Sequence, residues 1–243
     1  MVVLEVIATC VEDALLAEEC SAGRLELITA ITEGGLTPSI GMIEQVVAAV
    51  DIPVNVMVRP HSRSFVYGKQ DVATMSADIK AIAATGAAGI VIGALTVDRD
   101  IDEAFLEQVL PLAGKLDVTF HRAFDDLEDM VAGLRTLLRY PQISRVLTSG
   151  GVRPAPEAVP MIRKLVEITR DREAGSLSQP SSGHSLRILA GHGLTIEGIE
   201  SFIEATGVSE VHFGSAVRLD SSALAPIDPT RLKDLVNKIS NIG

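Results

Sequence analysis

The stretch "VVLEVIATCVEDALLAEECSAGRLELITAI", residues 2–31, carries the unit that decides the fold. "VVLEVIA" (2–8) is an apolar, β-prone run; "VEDALLAEECSA" (11–22) has helical spacing; "RLELITAI" (24–31) returns to a strand. Two strands separated by one helix pair in parallel through a right-handed crossover. The same rhythm then repeats along the chain. Strand-like runs recur at 53–60, 89–95, 117–124, 145–151, 186–191 and 210–216. Helical stretches fall at 37–50, 71–84, 102–113, 127–138, 157–170, 196–206 and 229–239. Thr37 is the expected N-cap of the second helix with Pro38 at its first position, and Asp228-Pro229 opens the last.

Eight β-then-α units in 243 residues predict a single-domain α/β chain, a (β/α)₈ TIM barrel over 1–243. A doubly wound sheet is the rival, but no glycine fingerprint follows the first strand. The polar segment 170–185, with Gly, Ser and Pro, is expected as a flexible surface insertion before strand seven, on the face opposite the active site. His184 within it is not expected to be functional.

Composition sets outer limits on function. A net charge of −11 excludes nucleic acid and anionic membrane surfaces as expected partners. The amino terminus lacks a basic stretch, and Glu5 interrupts its apolar run, so no signal peptide is expected. Two cysteines, Cys10 and Cys20, make neither a disulfide scaffold nor a structural zinc site. These features fit a reducing, cytoplasmic setting.

Strand alternation places the chemistry. The outer face of a barrel strand packs on helices, so polar residues on apolar strands should point into the lumen. Glu5 on strand one, Glu26 on strand two, Asn55 and Arg59 on strand three, and Thr119 and His121 on strand five fall on that side. Strand six offers Thr148 and strand eight His212. Barrel interiors are filled mainly by branched aliphatics, so Glu5, Glu26, Arg59, His121 and His212 from five strands, with Arg122 beside them, predict a functional pocket. The plainer alternative is an internal ion-pair network joining Glu5 or Glu26 to Arg59. A lumen carboxylate, Glu5 or Glu26, or a shared water is expected within reach of His121.

Glycine-rich turns lie on the rim. Ser149, Gly150 and Gly151 follow strand six; Gly191, His192 and Gly193 follow strand seven; Gly214 and Ser215 follow strand eight. Their backbone amides form a candidate anion site.

The motifs "LEV" (4–6), "RLEL" (24–27), "GGLTPS" (34–39), "VMVRP" (56–60), "TFHRAFD" (119–125), "LTSGG" (147–151) and the His212, Ser215 and Ala216 of 212–216 together resemble the CutC copper-homeostasis family over nearly the whole chain. The resemblance implies a cytoplasmic TIM barrel, a homodimer or higher homo-oligomer, and copper handling. It also implies two cysteine Cu(I) ligands at positions that are Ile7 and Ile28 here; a family arginine is replaced by His61, and a family glycine by His192. Cu(I) prefers thiolate and thioether ligands, so copper as a cofactor rests on the resemblance alone.

Two readings of function follow. One is copper homeostasis. The other is a lyase or isomerase acting on a sugar- or carbonyl-type, anionic small molecule, with Glu5 or Glu26 as base, His121 or His212 as acid, and Arg59 and Arg122 as anion holders. A variant of the second makes Glu5, Glu26, His121 and His212 ligands of a divalent metal, against which Arg59 weighs.

Overall fold

A computed structural model describes residues 2–173 and 185–242. Eight parallel strands close into a barrel in sequence order: β1 (Val3–Ala8), β2 (Arg24–Leu27), β3 (Val54–Met57), β4 (Gly89–Ile92), β5 (Asp117–Phe120), β6 (Ile143–Thr148), β7 (Arg187–Gly191) and β8 (Glu210–Phe213). Helices α1 (Val11–Glu19), α2 (Ile40–Ala49), α3 (Lys69–Ala83), α4 (Glu103–Ala113), α5 (Met130–Leu137), α6 (Val159–Glu173), α7 (Ile199–Thr206) and α8 (Pro229–Ser240) follow the strands one by one. The fold is the TIM barrel the β/α rhythm predicts. Among the described residues no helix is long and apolar enough to cross a membrane.

Outward strand residues such as Val6, Leu25, Val56, Ile90 and Phe120 are buried against the helices in one continuous apolar core. Burial of this kind, at roughly 25 cal/mol per Å² of apolar surface, is the dominant favourable term in folding. The strands are shorter than their apolar runs, because the chain turns as soon as it leaves the ladder. Strand two ends at Leu27, short of the expected residue 31, and the 3₁₀ turn Arg122–Asp126 begins where strand five is expected to run on to residue 124.

Asp228 caps α8 as the sequence implies, accepting from the amides of Thr230 at 2.8 Å and Arg231 at 3.3 Å. The N-cap of α2 differs from expectation. It is Ser39, whose Oγ accepts from Met42 N at 3.3 Å. Thr37 is instead engaged across the loop: its Oγ1 accepts from Arg59 N at 2.9 Å and donates to Arg59 O at 3.2 Å. A residue expected to cap a helix thus pins the backbone of a pocket arginine. Residues 170–173 continue α6, and residues 174–184 of the expected insertion, His184 included, lie outside the described residues.

Candidate functional site

Register explains how the lumen is assembled. Glu5 lies beside Arg24 on one flank and His212 on the other, because closure sets β8 against β1. Ile7 pairs with Glu26, Met57 with Val91, and Gly191 with His212. These inward positions form a charged base and, above it, a cavity of about 630 Å³ at the carboxyl ends of the strands.

The charged base was not foreseen. Arg24 donates through Nε to Glu5 Oε2 and through Nη2 to Glu210 Oε2, each at 2.5 Å. Arg145 lies 3.1 Å from Glu210 and is also paired with Asp117. Arg24 shares the strand face of Glu26, and Glu210 that of His212, so the alternation that located their neighbours was the available signal. The expected partnership of Glu5 or Glu26 with Arg59 is not made. Arg59 donates to carbonyls, Nη1 to Glu33 O at 3.1 Å and Gly35 O at 3.3 Å, and Nη2 to Ser62 O at 3.5 Å, and its guanidinium lies beside the Tyr67 hydroxyl. Its guanidinium carbon sits 4.7 Å over the Phe65 ring.

On the cavity floor, His212 bridges two carboxylates. Its Nδ1 is 2.8 Å from Glu5 Oε1 and its Nε2 is 3.6 Å from Glu26 Oε2. Burial opposes ionisation of Glu5, but the Arg24 guanidinium and His212 outweigh it and hold the carboxyl at about 2. For Glu26 burial wins: helped by the charge of Glu5, it pushes the carboxyl up to about 7. His212 also lies above its usual value, since Glu26 and Glu5 overcome the cost of burial. Glu26 Oε1 is buried and has no hydrogen-bond partner among the described residues.

His121 faces the cavity, as its strand face predicts, but not a carboxylate. It caps the turn after β5, and its Nδ1 accepts from Ala123 N at 3.1 Å. Its ring packs 5.0 Å from Phe65. Burial and the charges of Arg59 and Arg122 push its pKa down to about 3. The expected contact with Glu5 or Glu26 is made by His212 instead. Gly93 makes room for His121: a Cβ at Gly93 would fall 2.5 Å from Nδ1.

The rim divides in two. His192, Gly193, Gly214 and Ser215 line the cavity; Ser149, Gly150, Gly151 and Gly191 do not. The amides of Ser149 and Gly151 donate to the Asp125 carboxylate at 3.1 and 3.3 Å, and Gly150 N donates to Thr148 Oγ1 at 2.9 Å. Part of the proposed anion cradle is therefore filled by the chain's own anion. Thr148 donates to Asp125 and is not a lumen residue; Leu147, next to it, lines the cavity. Thr148 shares the strand face of Val146, which packs in the outer core. Arg122 donates to Asp125 at 2.9 Å and to Ser149 Oγ at 3.2 Å, so it is braced at the cavity wall. His61 does not line the cavity and sits 3.4 Å from Asp71.

A sequence profile of the CutC family matches residues 2–217. The chain belongs to the CutC family. It is 38% identical over 218 residues to the mouse copper homeostasis protein cutC homolog, covering 90% of this chain and 75% of the mouse protein. The human homolog is 37% identical over the same length. Among solved structures, the putative copper homeostasis protein CutC of Streptococcus agalactiae superposes with a TM-score of 0.77 at 29% identity, over 87% of this chain and 98% of that one. Phosphoribosyl anthranilate isomerase from Thermococcus kodakaraensis superposes with a TM-score of 0.63 at 13% identity, over 99% and 100% of the two chains, a likeness of fold alone.

The donor set of this CutC-family chain does not suit copper(I). Ile7 and Ile28, where the resemblance implies cysteines, line the cavity with hydrocarbon. Cys10 and Cys20 lie outside it, Cys20 buried beneath α8 with its thiol 3.9 Å from Pro229 O. Met57 alone among the cavity residues brings sulfur. A divalent ion fares little better. Glu5, Glu26 and His212 bring ligand atoms within 4.8 Å of one another, without His121. Yet both oxygens of Glu5 and Nδ1 of His212 are already engaged, and Arg24 holds the charge a metal would need.

Proposed function

We propose that the cavity binds a small, oxygen-bearing carbonyl or anionic molecule and moves a proton on it, as a lyase or isomerase does. The observation that carries this reading is Glu26: a carboxyl on the cavity floor, buried, with one oxygen unpartnered and its pKa raised to about 7. A general base works best when its pKa lies near the working pH. Glu5, ionised, accepts from His212 Nδ1–H and so fixes the imidazole beside Glu26, where its charge acts on that carboxyl. Arg59 and Arg122 place positive charge at the wall without a carboxylate on Arg59 to consume it. Homeostasis of copper, the role in the relatives' names, is the alternative; the hydrocarbon at Ile7 and Ile28 weighs against copper(I) lodging in this cavity.

Thermal unfolding of the full chain tests the choice, measured against a panel of small hydroxycarbonyls and hydroxyacids, with Cu(I) for comparison. An organic ligand should raise Tm in the wild type, and Glu26→Gln should lose that gain while remaining folded. Stabilisation by Cu(I) alone would sink the proposal.

A further inference from the structure

Three buried polar atoms on the cavity wall have no hydrogen-bond partner among the described residues: Glu26 Oε1, His121 Nε2 and Arg59 Nε. They come from β2, the end of β5 and the end of β3. Buried polar groups are normally satisfied, and an unmade bond costs about 1–3 kcal/mol, so such groups mark a place where something else makes the bond. Their chemistry is complementary. Arg59 Nε–H is a donor, its other nitrogens being held by carbonyls. His121 Nδ1 receives the Ala123 amide, so its lone pair is used there and the ring proton of the neutral imidazole must sit on Nε2.

We propose that His121 Nε2–H and Arg59 Nε–H together bind the carbonyl oxygen of an α-hydroxy aldehyde or ketone whose adjacent C–H is turned to Glu26. This rests on the acid–base reading of the cavity and gives it a ligand class and His121 a catalytic role. Glu26 carboxylate takes the proton from the hydroxyl-bearing carbon. The C–H electron pair becomes the C=C bond of an enediolate, and the carbonyl π pair moves onto the oxygen held by the two donors. The hydroxyl proton passes to that oxygen, and Glu26 returns its proton to the former carbonyl carbon, giving the isomer with no other reactant. A neutral imidazole suits this work because its proton stays in place while it polarises the oxygen. Its surroundings keep it neutral: the charged groups acting on it are Arg59 and Arg122, both cations, and its other neighbour is the Phe65 ring.

Two measurements on the full chain test the proposal. The first is ¹⁵N NMR of histidine-labelled protein. His121 should show a protonated Nε2 and an unprotonated Nδ1, unchanged from about pH 5 to 8; an imidazolium or an Nδ1–H tautomer in that range would overturn the assignment. The second is binding of glycolohydroxamate, whose planar pair of oxygens and negative charge imitate an enediolate. It should bind the wild type and shift the His121 Nε2–H resonance. Affinity should fall about tenfold in His121→Leu, which keeps bulk but no donor, and largely recover in His121→Gln, which restores an N–H. Weakening by Glu26→Gln with none by His121→Leu leaves the acid–base cavity standing and removes His121 from the chemistry. Absence of glycolohydroxamate binding in a folded wild type overturns the α-hydroxycarbonyl class, while the wider ligand panel still judges the cavity.

Discussion

Glu26 and His212 share the floor of the cavity, with Glu26 Oε2 lying 3.6 Å from His212 Nε2 and Glu26 Oε1 left without a partner among the described residues. At that distance the two groups feel each other's charge without forming a hydrogen bond. The pair is therefore sensitive to pH in a way that an ordinary buried ion pair is not.

Stability should fall as pH rises through neutrality. The Glu26 carboxyl is raised from 4.5 to about 7 on folding, so the folded state favours its protonated form. Its contribution is fully present below pH 4.5 and is lost by the time pH passes about 7. His212, also raised, loses stability in the same direction. Denaturant unfolding from pH 4.5 to 8 should show the decline, and Glu26→Gln should flatten it. A wild-type stability that rises over this range would contradict the raised carboxyl. Glu5 acts oppositely: lowered to about 2, it contributes above pH 4.5 and fails as pH falls toward 2.

Arg24→Met should be far more damaging than Arg59→Met. Removing Arg24 leaves Glu5 with His212 as its remaining partner and Glu210 with Arg145 and Arg187, and breaking a buried pair from one side costs about 3–5 kcal/mol. Removing Arg59 frees carbonyls on a loop and costs about 1 kcal/mol, with loss of ligand binding as the main effect. Urea midpoints of the two variants decide this; equal losses would mean that Arg59 is held as tightly as Arg24.

Gly93→Ala should disturb His121 without touching it chemically. The new methyl would fall 2.5 Å from Nδ1, forcing the ring off its site above β4. Overpacking of this kind costs about 1–3 kcal/mol. The ring ¹⁵N signals of His121 should move, and those of His212 should not. An unmoved His121 would show that the strand end yields instead.

Cu(I) should not bind tightly in one-to-one ratio, because the cavity offers one thioether and no thiol. Competition with a Cu(I) chelator measures this. Sub-nanomolar affinity that vanishes in Cys10→Ser would overturn it.

The sequence by itself determined the barrel and much of the cavity wall. Alternation along a strand is a local rule of period two, fixed by the pleat, so Glu5, Glu26, Arg59, His121 and His212 were assigned to the inner side before any contact was known. The eightfold β/α rhythm was equally local. The same rule, carried through, reaches Arg24 and Glu210 and removes Thr148, whose face is that of Val146. What tertiary structure alone decided was pairing. Glu5 meets His212, 207 positions away, only because the barrel closes and sets β8 beside β1 in one register. The amides of Ser149 and Gly151 are spent on Asp125 only because the turn after β5 folds back toward the end of β6. Which polar atoms are satisfied depends on distances between segments remote in the chain, and no periodicity encodes those distances; that is why the residues were legible and their partners were not.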